Sequence, residues 1–206
     1  MHFGQSSGSK PLPILLGVTG ASGSIYALKF MELSLDLGLE VHVIISRAGR
    51  EVVRYELGDE GYDKLVDLSY TVYQEDDLTA PPASGSSLWH AMVVLPCTMG
   101  TLSAVANGAS RNLIHRACDC FLKERRPLVL AVREAPFNLI HLRNMTRAAE
   151  AGAVIYPCMP SFYHGPKTLD HMAEFLAGRI IEFLGIRVEG LKRWNGTNDY
   201  VRKFSV

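Results

Sequence analysis

The sequence predicts a three-layer α/β/α fold around a mainly parallel sheet of about six strands. Short, almost purely apolar runs alternate along the chain with longer segments whose apolar residues recur at helical spacing. Strands that are apolar along their whole length are typical of parallel sheets covered by helices on both faces. Ligands bind such sheets beyond the carboxyl ends of the strands, so the turns that follow the strands are the candidates for a functional site.

The predicted elements follow one another without a linker or an internal repeat. Strands are predicted at 14–18, 40–46, 70–74, 91–95, 128–132 and 154–156. Helices are predicted at 24–37, 48–57, in a short stretch ending at 106, and at 112–123, 138–151 and 169–184. Residues 58–69 are polar and are assigned to neither a helix nor a strand. The Pro- and Ser-rich segment 76–88 excludes both helix and central strand, and it is either a surface loop or a substrate-site loop.

Composition and charge exclude several classes of protein. The chain has 206 residues with 21 basic and 21 acidic side chains, which allows one sizeable core and argues against a general nucleic-acid binder. No apolar run approaches the roughly 18 residues of a membrane span. The four cysteines form no Cys-x-x-Cys pair, so we expect reduced thiols in a cytoplasmic protein and no metal site.

Three segments are predicted from these patterns. Residues 1–11 are polar, rich in glycine and serine, and predicted to be disordered. Residues 12–186 are predicted to form the single domain. Residues 187–206 are predicted to be a tail that docks on the body or on a neighbouring subunit.

The first turn, Gly20-Ala21-Ser22-Gly23, joins an apolar strand directly to an amphipathic helix. Its small residues either serve packing alone or leave backbone N–H groups free at the positive end of a helix dipole, which suits a phosphate. We favour phosphate binding because of this position. The spacing differs from the dinucleotide fingerprint, and Ser46 rather than an acidic residue ends the second strand, so a mononucleotide fits better than NAD.

Two further turns follow buried strands. The turn 98–101 is small and polar, and it is either a helix cap or a second wall of the same site. Arg133 and Glu134 precede Pro136 in a rigid turn, where an arginine suits a phosphate or a flavin carbonyl and a carboxylate suits proton transfer. Arg179 lies inside the apolar last helix, where its charge needs an anionic ligand or an acid from a neighbouring subunit.

The segment around Tyr163 raises a rival interpretation. Tyr163-x-x-x-Lys167, together with the glycine turn, resembles a short-chain dehydrogenase, whose chemistry needs the two side chains one helical turn apart. Gly165 and Pro166 lie between them and disfavour an unbroken helix, so we reject this interpretation. His164 stays open between a structural and a catalytic role.

Longer motifs resemble one known family. They are Gly20-Ala21-Ser22-Gly23, Ala80-Pro81-Pro82-Ala83-Ser84-Gly85-Ser86-Ser87, Leu102-Ser103-Ala104-Val105-Ala106 with Gly108, Leu122-Lys123-Glu124-Arg125-Arg126-Pro127-Leu128-Val129-Leu130, Arg133-Glu134-Ala135-Pro136-Phe137, Ile140-His141-Leu142 with Asn144-Met145, and Phe162-Tyr163-His164. In these motifs, spread from about residue 12 to residue 194, the chain resembles the flavin prenyltransferases of the UbiX type.

The resemblance implies a Rossmann-like flavoprotein that joins a dimethylallyl group from dimethylallyl phosphate to N5 and C6 of reduced FMN. The prenylated FMN would then serve a partner decarboxylase of the UbiD type, as in ubiquinone biosynthesis. The family uses no metal, and it assembles as homo-oligomers, dodecamers built from trimers, with sites at subunit junctions.

Carried over by position, the resemblance also implies roles for single residues. FMN would be bound by Gly20, Ala21, Ser22, Ser46, Thr98, Met99, Gly100, Thr101 and Arg133. The donor phosphate would be bound by Lys123, Arg116, Tyr163 and Arg179, and Trp194 would close over the prenyl group. Glu134 would handle protons, and Ser22, Glu56 and Lys123 complete the predicted catalytic set.

Two other functions are weighed against prenyl transfer. One is FMN-dependent decarboxylation of an aromatic acid or a peptidyl cysteine, and the other is a non-catalytic flavin carrier. Lys123, Tyr163 and Arg179 weigh against the decarboxylase, because such an enzyme has no leaving phosphate to hold. The sequence leaves open whether the donor is a monophosphate or a diphosphate, which decarboxylase receives the product, and what residues 58–69 do.

Overall fold

The computed structural model describes residues 11–194, and one six-stranded sheet runs through this part of the chain. The strands are β1 (Ile14–Val18), β2 (Val41–Ile45), β3 (Thr71–Tyr73), β4 (Ala91–Cys97), β5 (Leu128–Val132) and β6 (Val154–Pro157). Their order is β3-β2-β1-β4-β5-β6, and every neighbouring pair is parallel. The predicted Rossmann-like fold is confirmed. Of the predicted terminal segments, residues 1–10 and 195–206 lie outside the described residues.

Within residues 11–194, six α-helices cover the two faces of the sheet. They are α1 (Ser24–Asp36), α2 (Arg47–Asp67), α3 (Met99–Ala106), α4 (Leu113–Lys123), α5 (Leu139–Glu150) and α6 (Leu169–Phe183), with a short 3₁₀ turn at Pro81–Ala83. Helices α1, α2 and α6 bury their apolar residues on one face, called the α6 face below. Helices α3, α4 and α5 do so on the other, the α4 face. Exposed side chains of α4 and α6 therefore lie on opposite sides of the sheet.

Helix α2 is longer than predicted, because the segment without assignment forms its second half. Gly58, with φ at +73°, interrupts the helix, which then continues to Asp67. Glycine adopts this left-handed conformation at little cost. Leu65 of the second half is fully buried in the core of the α6 face. The second half was not predicted because this one fully buried residue leaves too weak an apolar period to indicate a helix.

Strand β4 also runs further than predicted, to Cys97 instead of Leu95. Pro96 was expected to end the strand because proline has no N–H group for the ladder. The register between β4 and β5 shifts between Val94 and Cys97, which removes the need for that donor. The Pro96 carbonyl instead accepts hydrogen bonds from the amide and the hydroxyl of Thr19, at 3.3 and 2.6 Å, and so joins the ends of β4 and β1.

The strand order places a crevice between the carboxyl ends of β1 and β4. Connections from β1 lead towards β2 and β3, and those from β4 lead the other way, so the loops after these two strands diverge. Such switch points are where open α/β sheets bind ligands. No helix within residues 11–194 combines the length and the apolar character needed to cross a membrane.

Candidate functional site

A cavity of about 580 Å³ opens at the predicted edge of the sheet. Five of the residues expected to bind flavin line it: Gly20, Ser46, Thr98, Gly100 and Thr101. The remaining lining residues are Thr19, Arg47, Ala48, Glu51, Glu75, Ala104, Arg111, Asn112 and His115. The structure therefore brings together the turns after β1, β2 and β4, as the rule on strand ends predicts.

Hydrogen bonds fix the two main walls of the cavity against each other. The buried Thr19 hydroxyl donates to the Pro96 carbonyl at 2.6 Å and accepts from the Thr98 amide at 2.9 Å. Thr98 in turn caps α3, because its hydroxyl oxygen accepts from the amide of Thr101 at 3.1 Å. The turn 98–101 is thus both a helix cap and a wall of the cavity, so the two interpretations of this turn are compatible.

Gly20 brings the first turn of α2 close to the end of β1. A Cβ atom at this position would lie 2.6 Å from the Cβ of Ala48, much closer than such atoms approach in proteins. Ser46 caps the N-terminus of α2, because its side chain accepts a hydrogen bond from the Gly49 amide at 3.0 Å. Packing therefore requires the glycine, and the same close approach leaves the N-terminal end of α2 at the cavity.

The Gly23 N–H group of the first turn is not free, so the prediction of free N–H groups in this turn is wrong for Gly23. The Glu56 carboxylate of α2 accepts from the Gly23 amide at 3.0 and 3.1 Å and from the Ser24 amide at 2.7 Å. Burial raises the pKa of Glu56, but hydrogen bonds from Ser22, Ser24 and Gly23 bring it below its ordinary value. An ionised carboxylate thus stabilises the start of α1.

The titratable cavity residues that were missed in the sequence include Glu75 and His115. The Glu75 carboxylate accepts from the Arg47 amide at 2.6 Å and from the Asn112 side chain at 3.1 Å, so it links the starts of α2 and α4. Burial and the Arg111 charge lower the pKa of His115, against an opposing effect of Glu75, so the imidazole is neutral at pH 7. Glu75 follows β3 closely, and the rule on strand ends was a signal that could have found it.

Arg133 and Glu134 follow β5 and are both exposed. The Arg133 amide donates to the Cys97 carbonyl at 3.2 Å, which sets the turn beside the end of β4. Burial raises the pKa of Tyr26, Cys158 raises it further, and the Arg133 charge lowers it, so this guanidinium lies within electrostatic range of α1. The Glu134 carboxylate accepts only from its neighbour, the Ala135 amide at 3.0 Å, among the described residues.

Three residues predicted for the donor come together on the α6 face. The Tyr163 ring lies edge-on to Trp194, with centroids 5.8 Å apart and the planes at 78°. Burial raises the pKa of Tyr156, the Arg179 charge lowers it, and Cys158 and Tyr163 raise it, so Arg179 and Tyr163 both lie within electrostatic range of Tyr156. A second cavity of about 350 Å³ is lined by Tyr156 and Arg179 with Glu182 and Arg193.

His164 is an aromatic packing residue in this structure. Its ring stacks on Phe175 with a centroid distance of 3.9 Å and an interplanar angle of 7°. Both ring nitrogens are buried without a hydrogen-bond partner within residues 11–194. The stacking favours the structural role that was weighed for this residue, and nothing in the contacts assigns it a catalytic one.

The other two donor residues, Arg116 and Lys123, lie on the α4 face and do not meet Tyr163 and Arg179 within one chain. Helix α4 begins at the cavity with Asn112 as its cap and ends before the start of β5, at the opposite edge of the sheet. Lys123 is its last residue, about 15 Å from its first. Arg116 pairs with Asp119 at 2.7 Å and donates to the Ala83 carbonyl at 3.0 Å.

Comparison with known proteins decides the family. The sequence matches the Flavoprotein family over residues 3–182. A flavin prenyltransferase UbiX from Methanothermobacter thermautotrophicus is 44% identical over 183 residues, which cover 89% of this chain and 95% of that protein. The chain belongs to the UbiX flavin prenyltransferase family. The resemblance seen in its motifs is thereby confirmed.

Solved structures agree with this membership of the UbiX family. AnUbiX (PadA1), in complex with FMN and dimethylallyl pyrophosphate, superposes with a TM-score of 0.88 at 35% identity and covers 91% of this chain and all (100%) of that one. A dodecameric FMN-dependent UbiX-like decarboxylase from Escherichia coli O157:H7 superposes with a TM-score of 0.85 at 30% identity, covering 90% and 100%. Within residues 11–194 no group of three or more His, Cys, Asp or Glu side chains is arranged to hold a metal ion.

Proposed function

We propose that this chain is a flavin prenyltransferase that joins a dimethylallyl group from dimethylallyl phosphate to N5 and C6 of reduced FMN. The observation that carries the proposal is the cavity at the switch point, lined by five of the residues that the family resemblance assigns to FMN. Reduced FMN supplies the nucleophilic N5 and C6 atoms. The bond at N5 forms as the allylic C–O bond breaks, the phosphate leaves with its electrons and N5 loses its proton. The bond at C6 forms as the prenyl C=C bond breaks: one of its carbons takes up a proton, the other bonds to C6, and C6 loses its proton. No redox partner is consumed in this exchange.

The cavity residues fit FMN in size and chemistry. Two exposed arginines, Arg47 and Arg111, line the cavity, and the N-terminal end of α2 lies beside it. Both features suit a terminal phosphate. The neutral His115 has a buried Nδ1 without a partner among the described residues, which suits a polar group of the flavin or its ribityl chain. Gly20 and Gly100 leave the walls without side chains, so a flat ring can approach the backbone.

The chain's own residues would then divide the work of prenyl transfer. Arg133, beside the ends of β4 and β5, orients the flavin. Glu134 is exposed next to it and holds or accepts a proton, either at the leaving phosphate or at the carbon that closes the new ring. Tyr163 and Arg179 stabilise the negative charge that grows on the leaving phosphate, and Trp194 covers the prenyl group.

Lys123 and Arg116 complete this site from a second copy of the chain. Their position on the α4 face, opposite Arg179, supports a site shared between subunits. A homododecamer is the assembly we propose, and the dodecameric UbiX-like relative supports it. We further propose a cytoplasmic protein that passes prenylated FMN to a decarboxylase of the UbiD type, a location supported by four free cysteines.

The proposal is tested by anaerobic incubation with reduced FMN and dimethylallyl phosphate, followed by mass spectrometry of the extracted flavin. The expected result is protein-dependent gain of one prenyl unit. Dimethylallyl pyrophosphate is assayed in parallel, because the AnUbiX complex contains that donor. Unmodified FMN with both donors, when FMN and donor are each shown to bind, would overturn the proposal.

Direct decarboxylation is the second candidate, because the UbiX-like relative from Escherichia coli O157:H7 is named a decarboxylase. The two activities separate cleanly in one assay. A decarboxylase releases carbon dioxide from an aromatic acid or a peptidyl cysteine in the presence of FMN alone, without any prenyl donor.

A non-catalytic carrier, the third candidate, would keep its function when Glu134 is replaced by Gln, whereas a transferase should lose rate.

A further inference from the structure

Glu182, near the end of α6, joins two arginines that come from different parts of the chain. Its Oε2 accepts from Arg179 Nη1 at 2.6 Å, and its Oε1 accepts from Arg193 Nη2. Only 11% of the Glu182 side chain is exposed. Burial raises the pKa of this carboxyl, but the hydrogen bonds and charges of Arg193 and Arg179 bring it below its ordinary value. The carboxylate is therefore ionised and bonded on both oxygens.

Arg193 belongs to a strap, residues 191–194, in which each residue contacts α6 or the loop before it. The Leu191 side chain lies over Gly178, where a Cβ atom would come within 2.9 Å of it. The Lys192 ammonium donates to the His164 carbonyl at 3.3 Å, and Arg193 binds Glu182. The Trp194 ring ends the strap against Tyr163. The Glu182 pair is the strap's one contact between opposite charges within residues 11–194.

The cavity at this place has an excess of positive charge. Arg179, Arg187 and Arg193 line it, and Glu182 is the one carboxylate among the lining residues. Isolated ion pairs on a surface contribute little, because solvent screens them and long side chains lose entropy. A largely buried carboxylate that binds two guanidinium groups at once should contribute more than such a pair, since charge-assisted hydrogen bonds hold both guanidinium groups in a set orientation.

We infer that Glu182 is a positioning residue of the donor site: it aims Arg179 at the leaving phosphate and, through Arg193, holds Trp194 against Tyr163. The inference rests on the proposed function, which gives Arg179 and Trp194 their roles. The contrary possibility is that Glu182 merely competes with the phosphate for Arg179. The two possibilities predict opposite changes in the KM for the donor, because removing a competitor tightens donor binding and removing a positioning group weakens it.

The test compares Glu182→Gln and Glu182→Asp with Glu174→Gln, a matched control on an exposed position of the same helix. Steady-state rates are measured at saturating reduced FMN with varied dimethylallyl phosphate. Acrylamide quenching of Trp194 fluorescence reports the strap, with a Trp194→Phe variant supplying the background of Trp89. We expect E182Q to raise KM for the donor about tenfold, the loss typical of one charge-assisted hydrogen bond. Acrylamide quenching of Trp194 should increase in the same variant. E182D should restore most of the wild-type KM and most of the wild-type quenching, and E174Q should match the wild type in both.

A lower KM in E182Q would overturn the inference in favour of a competitor. Unchanged KM together with unchanged quenching would overturn it as well. If E182Q does not fold, Arg193→Gln removes the same contact from the strap side and should raise KM and quenching in the same way. A wild type that makes no prenylated FMN would defeat the proposed function instead, and quenching would still show whether Glu182 holds the strap.

Discussion

The cavity that we propose for flavin and the site that we propose for the donor, called the flavin cavity and the donor site, differ in how they are built. The cavity is formed by strand ends, helix starts and small residues, which the sheet brings together within one chain. The donor residues are long side chains on two helices and a loop, and they lie on opposite faces of the sheet. Backbone geometry thus brings five of the predicted flavin residues together within a single chain. In our proposal, the donor site instead needs a neighbouring copy and side-chain partners such as Glu182.

The largest effect on activity should come from substitutions that remove a donor-binding side chain and leave the flavin cavity intact. Lys123→Gln and Arg179→Gln should each lower kcat/KM at least about 100-fold, as loss of one donor to a developing charge does. FMN affinity should stay unchanged, because neither side chain lines the flavin cavity. Arg125→Gln, an exposed neighbour of Lys123, is the control and should keep full activity. Equal losses in FMN affinity and in rate would contradict the separation of the two sites.

Two glycines of the flavin cavity should respond differently to alanine. Gly20→Ala places a Cβ atom 2.6 Å from that of Ala48 and should cost about 1–3 kcal/mol of unfolding free energy. Gly100→Ala meets its nearest atom, Thr98 Oγ1, only at 3.8 Å, so the fold should persist. Its methyl group projects at the cavity and should weaken FMN binding about tenfold, or about 1.4 kcal/mol.

Thermal unfolding and flavin fluorescence titrations distinguish these two outcomes. G100A should keep the melting temperature of the wild type or exceed it, because alanine is the better residue inside a helix. Wild-type FMN affinity in G100A would show that the flavin does not pass along this wall, and it would remove the main support for the proposed cavity.

The smallest effect concerns the Glu56 carboxylate at the start of α1. A carboxylate whose pKa is depressed on folding stabilises the protein above its unfolded pKa, and this stability is lost as the pH falls through the folded value. Glu56→Gln should therefore cost about 1 kcal/mol near pH 7, a typical value for a lost helix cap that is partly open to solvent. The difference from the wild type should shrink as the pH falls through the folded pKa of Glu56, which lies below the ordinary glutamate value of about 4.3.

Urea unfolding at a series of pH values measures this dependence. Glu60→Gln, on an exposed position of the same helix, is the control and should show no pH-dependent difference. A Glu56→Gln variant that is equally destabilised at pH 3 and pH 7 would mean that the carboxylate's charge is not what holds the start of α1.

The strands and the turns that line the flavin cavity could be predicted because their signals in the sequence are local. An apolar run followed by Gly20 or Thr98 identifies a strand and its turn within ten residues, and parallel pairing then brings the turns together. Arg111 escaped because it joins the cavity from the loop between α3 and α4, which follows no strand. Glu75, by contrast, lies just beyond β3 and was within reach of the rule on strand ends. The second half of α2 escaped because only Leu65 in it is fully buried.

Side-chain pairing across long distances in the chain was the part that sequence reasoning could not supply. Glu56 reaches the amides of Gly23 and Ser24 from more than 30 residues away, and the spacing of 33 and 32 residues has no periodic signature. The Arg179 pair is a different case: an anionic ligand or an acid of another subunit was expected, but Glu182, three residues further on in the same helix, pairs with it, and that helical spacing could have predicted the contact. Family resemblance named Lys123 and Arg179 together, yet only the fold shows that they lie on different faces.

A co-expression experiment tests directly whether a second copy of the chain completes the donor site. Chains carrying K123Q and chains carrying R179Q are co-expressed with different tags, and mixed assemblies are purified. If each site takes Lys123 from one chain and Arg179 from another, about one quarter of the sites in a random mixture are intact, and prenyl transfer should recover to that level. Mixed assemblies that are no more active than the single variants would contradict a donor site shared between chains.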